Sequence, residues 1–151
     1  MPTPVHGVEG LKQLVGVDLG FTPYRTISQE RIDTFADATD DHQWIHVDTD
    51  AAKKGPFGTT IAHGFLTLSL VSAMLPEVLS VDGVSMGVNY GANRVRFPSP
   101  VPVDSRVRLG ATVAEVTDVA GGVQVQVNVT IEVEGAPKPS MVAEILFRYY
   151  S

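Results

Sequence analysis

Five side chains able to move protons or hold a cation fall within Ala38–Asp48, "ATDDHQWIHVD": Asp40, Asp41, His42, His46 and Asp48. A metal site would use His42 and His46, which are four apart and would share one helix face, with Asp48 or His63 as further ligands. Yet Thr39, two adjacent acids and Gln43 mark a helix end, and no HExxH pattern is present, so no metal is expected. Acid–base chemistry asks for less. A histidine titrates near neutral pH, and a partly desolvated carboxylate keeps a proton long enough to donate it. Asp41 and His46 would converge if the segment between them curls. A surface loop whose acids cap local amides accommodates the same residues.

Ala62-His63-Gly64 opens an apolar run, His63–Leu75, "HGFLTLSLVSAML". Free N–H groups at a helix start, together with the helix dipole, favour negative charge, and Gly64 has no side chain to block approach. Such an amide suits an oxyanion forming on a carbonyl. The His63 side chain by itself reads as a helix cap or core histidine. Ser69 and Ser72 lie inside the run without a G-x-S-x-G elbow. Ser72 reads as a hydroxyl bonded back to a helix carbonyl, and for Ser69 a supporting role beside the site stays open. "GPFGTT" has no lysine placed to cradle a phosphate.

The elements that must position these residues are legible in part. Gly7–Gly20 reads as a short helix and turn, and Phe21–Thr26 as a short strand. "SQERIDTFADAT" is a helix capped by Ser28, with Ile32, Phe35 and Ala36 on one face. "DTDAAKKG" adds a helical turn stopped by Gly55-Pro56. His63–Leu75 is apolar nearly all round, which predicts a helix buried on most sides and ending near Pro76. Four long strands follow: Val84–Phe97; a run from Val107 that slips phase at Glu115-Val116; the strictly alternating Val123–Val133; and Ser140–Tyr150. Gly121-Gly122 predicts a hairpin. Helices segregated from antiparallel strands make the fold class α+β.

The chain has 151 residues, enough for one domain, 1–151, with one core. Hydrophobic content of 44% against 19% charged is that of a globular protein rather than a disordered one. A net charge of -6 argues against a nucleic-acid partner. With no cysteine there is neither a disulfide nor a thiolate nucleophile. The first residues lack a basic stretch followed by an apolar one, and Phe65–Leu75 is far shorter than the roughly 20 residues of a membrane span. A cytoplasmic protein with no membrane association is the expectation.

"DDHQWIHVDTDAA…GPFGTTIAHG" resembles the hydratase motif of the MaoC-like dehydratases, the (R)-specific enoyl-CoA hydratases. That motif runs Asp, any residue, Asn, Pro, an aliphatic residue, His, and an acid two residues on. Asp41, Ile45, His46 and Asp48 match it, and "AHG" matches the His-Gly pair opening the family's central helix. The resemblance is greatest to mycobacterial-type single-domain 3-hydroxyacyl-thioester dehydratases, which share "DHQWIHVD", "GPFGTTIAHGF" and "VRFP.PVPV". These pieces span most of the chain. The usual Asn-Pro is replaced by Gln43-Trp44. Gln43 can still offer an amide, whereas Trp44 reads as a packing residue.

The resemblance implies a hot-dog fold, a long buried central helix wrapped by a curved antiparallel sheet, paired as a homodimer. It implies a hydro-lyase that reversibly adds water to a trans-2-enoyl-CoA, without a cofactor. Carried over, Asp41 and His46 hold the water and Gly64 N–H polarises the thioester carbonyl. Gln43, His63, Ser69 and Arg94 are the implied substrate-binding residues. The five-residue spacing to His46 selects Asp41 over Asp40. Arg94 and Arg96 alternate with Val95 and Phe97, so they share a strand face, where they would meet CoA phosphates or pair with surface acids. Lys53, Lys54 and Lys138 are other candidate cations. The substrate is a CoA or acyl-carrier-protein thioester. The alternatives are a hot-dog thioesterase, whose members generally lack the Asp–His motif, and a non-catalytic acyl-CoA-binding module.

Overall fold

In the computed structural model, which describes residues 1–151, the sequence's change of periodicity becomes a change of layer. The elements run β1 (Thr3–His6), α1 (Gly7–Lys12), β2 (Asp18–Phe21), β3 (Arg25–Thr26), α2 (Gln29–Thr39), α3 (Trp44–Val47) and α4 (Thr49–Lys53). They continue with α5 (Gly64–Ser69), α6 (Val71–Met74), a 3₁₀ turn (Leu75–Glu77), β4 (Leu79–Asp82), β5 (Met86–Arg96), β6 (Arg106–Val119), β7 (Gly122–Val133) and β8 (Met141–Tyr150).

The six-stranded antiparallel sheet is ordered β2-β6-β7-β8-β5, with β3 also on β6. Val123, Val125, Val127, Val129 and Ile131 of β7 face inward and are buried, while Gln124, Gln126 and Thr130 face out. Burying each such side chain contributes about 1.5–3 kcal/mol. Leu109, Val113, Met141 and Ile145 of the flanking strands join them in one core with Leu66, Leu70, Val71 and Met74 of the helical segment. The phase slip falls between Val113 and Glu115, and Gly121, at φ 80°, makes the hairpin. A helix lying on a wrapped antiparallel sheet is the hot-dog arrangement.

The helical segment departs from a continuous helix. It breaks at Leu70 into α5 and α6. Ser69 and Thr67 hydroxyls donate back to the Phe65 and His63 carbonyls, a bond that bends helices. The segment is buried on most sides, as expected, but keeps one open face within one chain. Phe65, Ser69, Ser72 and Ala73 form an exposed face. The strand expected at Phe21–Thr26 is split into β2 and β3, both on β6. β1 and β4 form a separate parallel pair. No helix is long and apolar enough to cross a membrane.

Candidate active site

Ser28 caps α2, its hydroxyl accepting the Arg31 amide at 3.1 Å. The helix ends at Asp40, whose left-handed backbone (φ 58°) returns its own N–H to the Ala36 carbonyl. A short polar side chain tolerates that conformation. Asp41 therefore leaves the helix in a new direction. Its carboxylate accepts the Gln43 amide at 3.4 Å, and α3 begins immediately after. One helical turn then carries His46 inward to 7% exposure. Asp48 caps α4 by accepting the Ala51 amide.

The turn bearing His46 is clamped from two directions. Gln29 donates to the His46 carbonyl at 2.8 Å and accepts from the buried Thr60 hydroxyl at 2.5 Å. Ile61 N–H donates to the Ile45 carbonyl, and the Ile61 carbonyl accepts from His46 Nδ1 at 2.7 Å. This last bond fixes the tautomer: Nδ1 carries the proton and Nε2 presents a lone pair. Burial pushes His46 below the ordinary imidazole value, an effect opposed by the Ile61 carbonyl and reinforced by neighbouring His63. The ring is held neutral at pH 7, the form a base needs.

A ring nitrogen of His46, a ring nitrogen of His63 and a carboxylate oxygen of Asp41 all lie within 4.8 Å of one another. His63 is 2% exposed, and its Nε2–H donates to the Asp41 carbonyl at 3.0 Å. Its ring stacks on His46, centroids 3.8 Å apart and 21° from parallel. In-plane lone pairs of stacked rings run side by side, a poor geometry for two ligands of one ion. The Asp41 carboxylate itself is exposed in the single chain, so any desolvation must come from what binds over it.

Gly64 opens α5 directly after His63, and its N–H is one of the amides the first turn leaves without an intrahelical acceptor. The Phe97 ring packs against the Cα of Gly64: a Cβ there would sit 3.1 Å from that ring. Gln43 is exposed and precedes α3, with its main-chain N–H, not its side-chain amide, on the Asp41 carboxylate. Ser69 is exposed and bonded back to Phe65, and lines a cavity of about 240 Å³ between α5, α6 and β5 with Leu68, Ser72 and Asn89. His42 pairs at the surface with Asp37. Trp44 lies against Gly55, where a methyl group would collide with its ring.

Arg94 and Arg96 lie apart from this cluster. Both line a groove of about 840 Å³ on the sheet's outer face, floored by Thr112, Asn128 and Thr130. The alternation expected of them is broken by a register slip between Asn93 and Arg96, with Arg94 at φ 51°. Neither guanidinium is within ion-pair distance of a carboxylate. Gln29, Thr60 and Phe97 were not identified from the sequence. Gln29 follows a helix cap and reads there as ordinary surface, although Thr60 lies inside the motif run "GPFGTTIAHG".

Comparison with known proteins gives an independent view of the same residues. The family model described as "MaoC like domain" matches residues 11–135, a span containing Asp41, His46 and Gly64. Over 145 residues, 95% of this chain and 96% of the relative, the sequence is 51% identical to 3-hydroxyacyl-thioester dehydratase Z of Mycobacterium tuberculosis. It is 32% identical to the (R)-specific enoyl-CoA hydratase of Rhodospirillum rubrum, covering 78% of this chain and 72% of that one. Among solved structures, one described as a monoamine oxidase regulatory protein from Archaeoglobus superposes with a TM-score of 0.81 at 26% identity, covering 100% of this chain and 99% of that one.

Proposed function

The chain belongs to the MaoC-like family, and on that premise we propose that it is a hydro-lyase of the (R)-specific enoyl-CoA hydratase or 3-hydroxyacyl-thioester dehydratase type. The observation that carries the reading is the buried His46, its tautomer fixed by the Ile61 carbonyl, with a ring nitrogen within 4.8 Å of the Asp41 carboxylate. A water held between the two loses a proton to His46 Nε2 as its oxygen bonds to the β-carbon of a trans-2-enoyl thioester. The carbonyl oxygen gains negative charge and meets Gly64 N–H. The proton taken from water returns to the α-carbon with Asp41 helping to deliver it, leaving the (R)-3-hydroxyacyl thioester and an unchanged protein. Dehydration is the same path reversed.

Gln43 N–H orients the Asp41 carboxylate, and Ser69 lines the cavity between α5, α6 and β5. Arg94 and Arg96 suit the phosphates of a thioester's pantetheine or nucleotide arm, because both are free of ion pairs and β5 leads from them to Phe97 over Gly64.

The partner is a second copy of the chain. β5 hydrogen-bonds to β8 on one side only, and none of its residues is buried. Tyr90 at 56%, Met86 at 55% and Phe65 at 70% exposure border that free edge. A long bare edge is a template for pairing, and joining two copies there covers the open face of α5 and α6.

The test is incubation with crotonyl-CoA, following loss of enoyl absorbance and the configuration of the product. Formation of (R)-3-hydroxybutyryl-CoA is expected. Release of free CoA without hydration would identify a thioesterase, and no reaction with any enoyl thioester would leave only a binding module.

A further inference from the structure

His63 is the one buried titratable side chain at the site that the hydration scheme leaves without a part. It comes from the start of α5, whereas Asp41 and His46 come from the α2–α3 turn, so it bridges two separate segments. One nitrogen is spent: Nε2–H donates to the Asp41 main-chain carbonyl at 3.0 Å. The other, Nδ1, is buried with no hydrogen-bond partner. The ring faces are spent too, between His46 at 3.8 Å and Phe35 at 4.8 Å. No polar atom of His63 is left open to a ligand.

A buried acceptor without a donor costs stability, so a phenyl ring would fill this place more cheaply were filling it the purpose. What a histidine adds over phenylalanine to offset that cost is the hydrogen bond it gives to Asp41. A glutamine would give that bond but not the flat face that lies on His46. The imidazole does both.

We propose that His63 is a positioning residue: its Nε2–H fixes the Asp41 main chain while its ring face fixes the His46 imidazole, so that one side chain sets the separation of the two reacting groups without touching substrate. This rests on the hydratase reading for its consequence in catalysis, but the geometric claim stands independently of it. Asp41 is exposed, and no other side chain donates to its main-chain carbonyl.

The test compares His63→Phe, which keeps the stacked ring and loses the donor, with His63→Gln, which keeps a donor and loses the ring, and with His63→Ala, which loses both. In crotonyl-CoA hydration, kcat of the alanine variant is expected to fall on the order of 100-fold, the scale on which small misplacement of reacting groups acts. The two half-variants should fall between alanine and the parent, with KM within about twofold throughout, since no substrate contact is removed. A raised KM at constant kcat would instead make His63 a substrate contact, and an alanine variant with parental kcat would overturn the proposal outright. Because His63→Phe removes an orphaned acceptor and preserves volume, it is expected to fold. Amide hydrogen exchange of the substrate-free protein gives a second readout: exchange across residues 41–47 should quicken in His63→Ala. Unchanged exchange there overturns the positioning role whether or not the protein hydrates crotonyl-CoA. Failure of the parent to turn over any enoyl thioester, with quickened exchange in the variant, would overturn the hydratase reading alone.

Discussion

Nδ1–H of His46 donates a hydrogen bond to the Ile61 carbonyl at 2.7 Å. That single bond decides which nitrogen of the imidazole is a base, and the residues on either side of it belong to separate parts of the chain. His46 rides on α3, and Ile61 lies in the extended stretch before α5, tied to the sheet side by Ala62 N–H on the Val101 carbonyl at 2.8 Å. The base is thus oriented by the wall of the fold rather than by its own turn.

Replacement of either reacting group should therefore reduce rate and spare the fold. His46→Gln keeps a donor for Ile61 and loses the basic nitrogen, and Asp41→Asn keeps shape and loses the carboxylate. Each is expected to lower kcat for crotonyl-CoA hydration by about 10²–10⁴-fold, the range general acid–base groups contribute. Circular dichroism and Tm near the parent values would confirm that the loss is chemical. Turnover surviving both substitutions would remove these residues from the mechanism.

The pH dependence has a definite sign. Burial lowers His46 from 6.5 in the folded state, so the acid limb of kcat/KM should have its midpoint below 6.5, with a flat profile between about pH 7 and 8. Stability follows by linkage. Between the two values the unfolded chain binds more protons than the folded one, so stability rises with pH across that window. The contribution is complete above 6.5 and is lost as pH falls through the lowered folded value. Tm measured at pH 7 and pH 5 should differ, and the difference should shrink in His46→Gln. A midpoint at or above 6.5 would mean that His46 is not desolvated.

Long-range strand pairing was legible because it repeats. The Val123–Val133 alternation gives five inward residues in succession, and the phase slip at Glu115 appears in the residues themselves. β1 and β4, of four residues each, offer too few inward positions to establish a period. The break at Leu70 arises from where two hydroxyl groups turn, and the turn at Arg94 from a register slip with β8, neither of which composition encodes. At the site, Asp41 and His46 stood out through spacing and the hydratase motif. Gln29 did not, because its partners lie 17 and 31 residues away and its own neighbourhood is an ordinary helix start.

Gln29 should prove sensitive for that reason. Its amide bridges the His46 carbonyl and the Thr60 hydroxyl, which is 1% exposed. Gln29→Leu leaves both without this partner, and an unsatisfied buried polar group costs about 1–3 kcal/mol. For a chain of this length that corresponds to a fall in Tm of roughly 2–12 °C. Because the turn carrying His46 loosens as well, kcat should drop even at temperatures where the variant is fully folded. A parental Tm would show that the bridge is replaced by water.

The free edge gives the last prediction. Phe65 is 70% exposed and Tyr90 56% exposed in the single chain, so Phe65→Asp and Tyr90→Lys disturb little of the chain's own core. If two copies join along β5, each substitution places a charge in a newly buried surface, where an unpaired charge is costly. Light scattering coupled to gel filtration should read twice the 16.2 kDa chain mass for the parent and a shift toward one chain for the variants. Activity should fall with the mass. Phe97, against Gly64, meets Phe65 edge to face with centroids 6.5 Å apart, so a partner pressing on Phe65 braces the ring that packs on Gly64. Loss of rate should then be recovered by raising protein concentration, as mass action requires of an assembly. A parent that reads as one chain at every concentration would remove the second copy from the site, and a variant of parental mass would place the interface elsewhere.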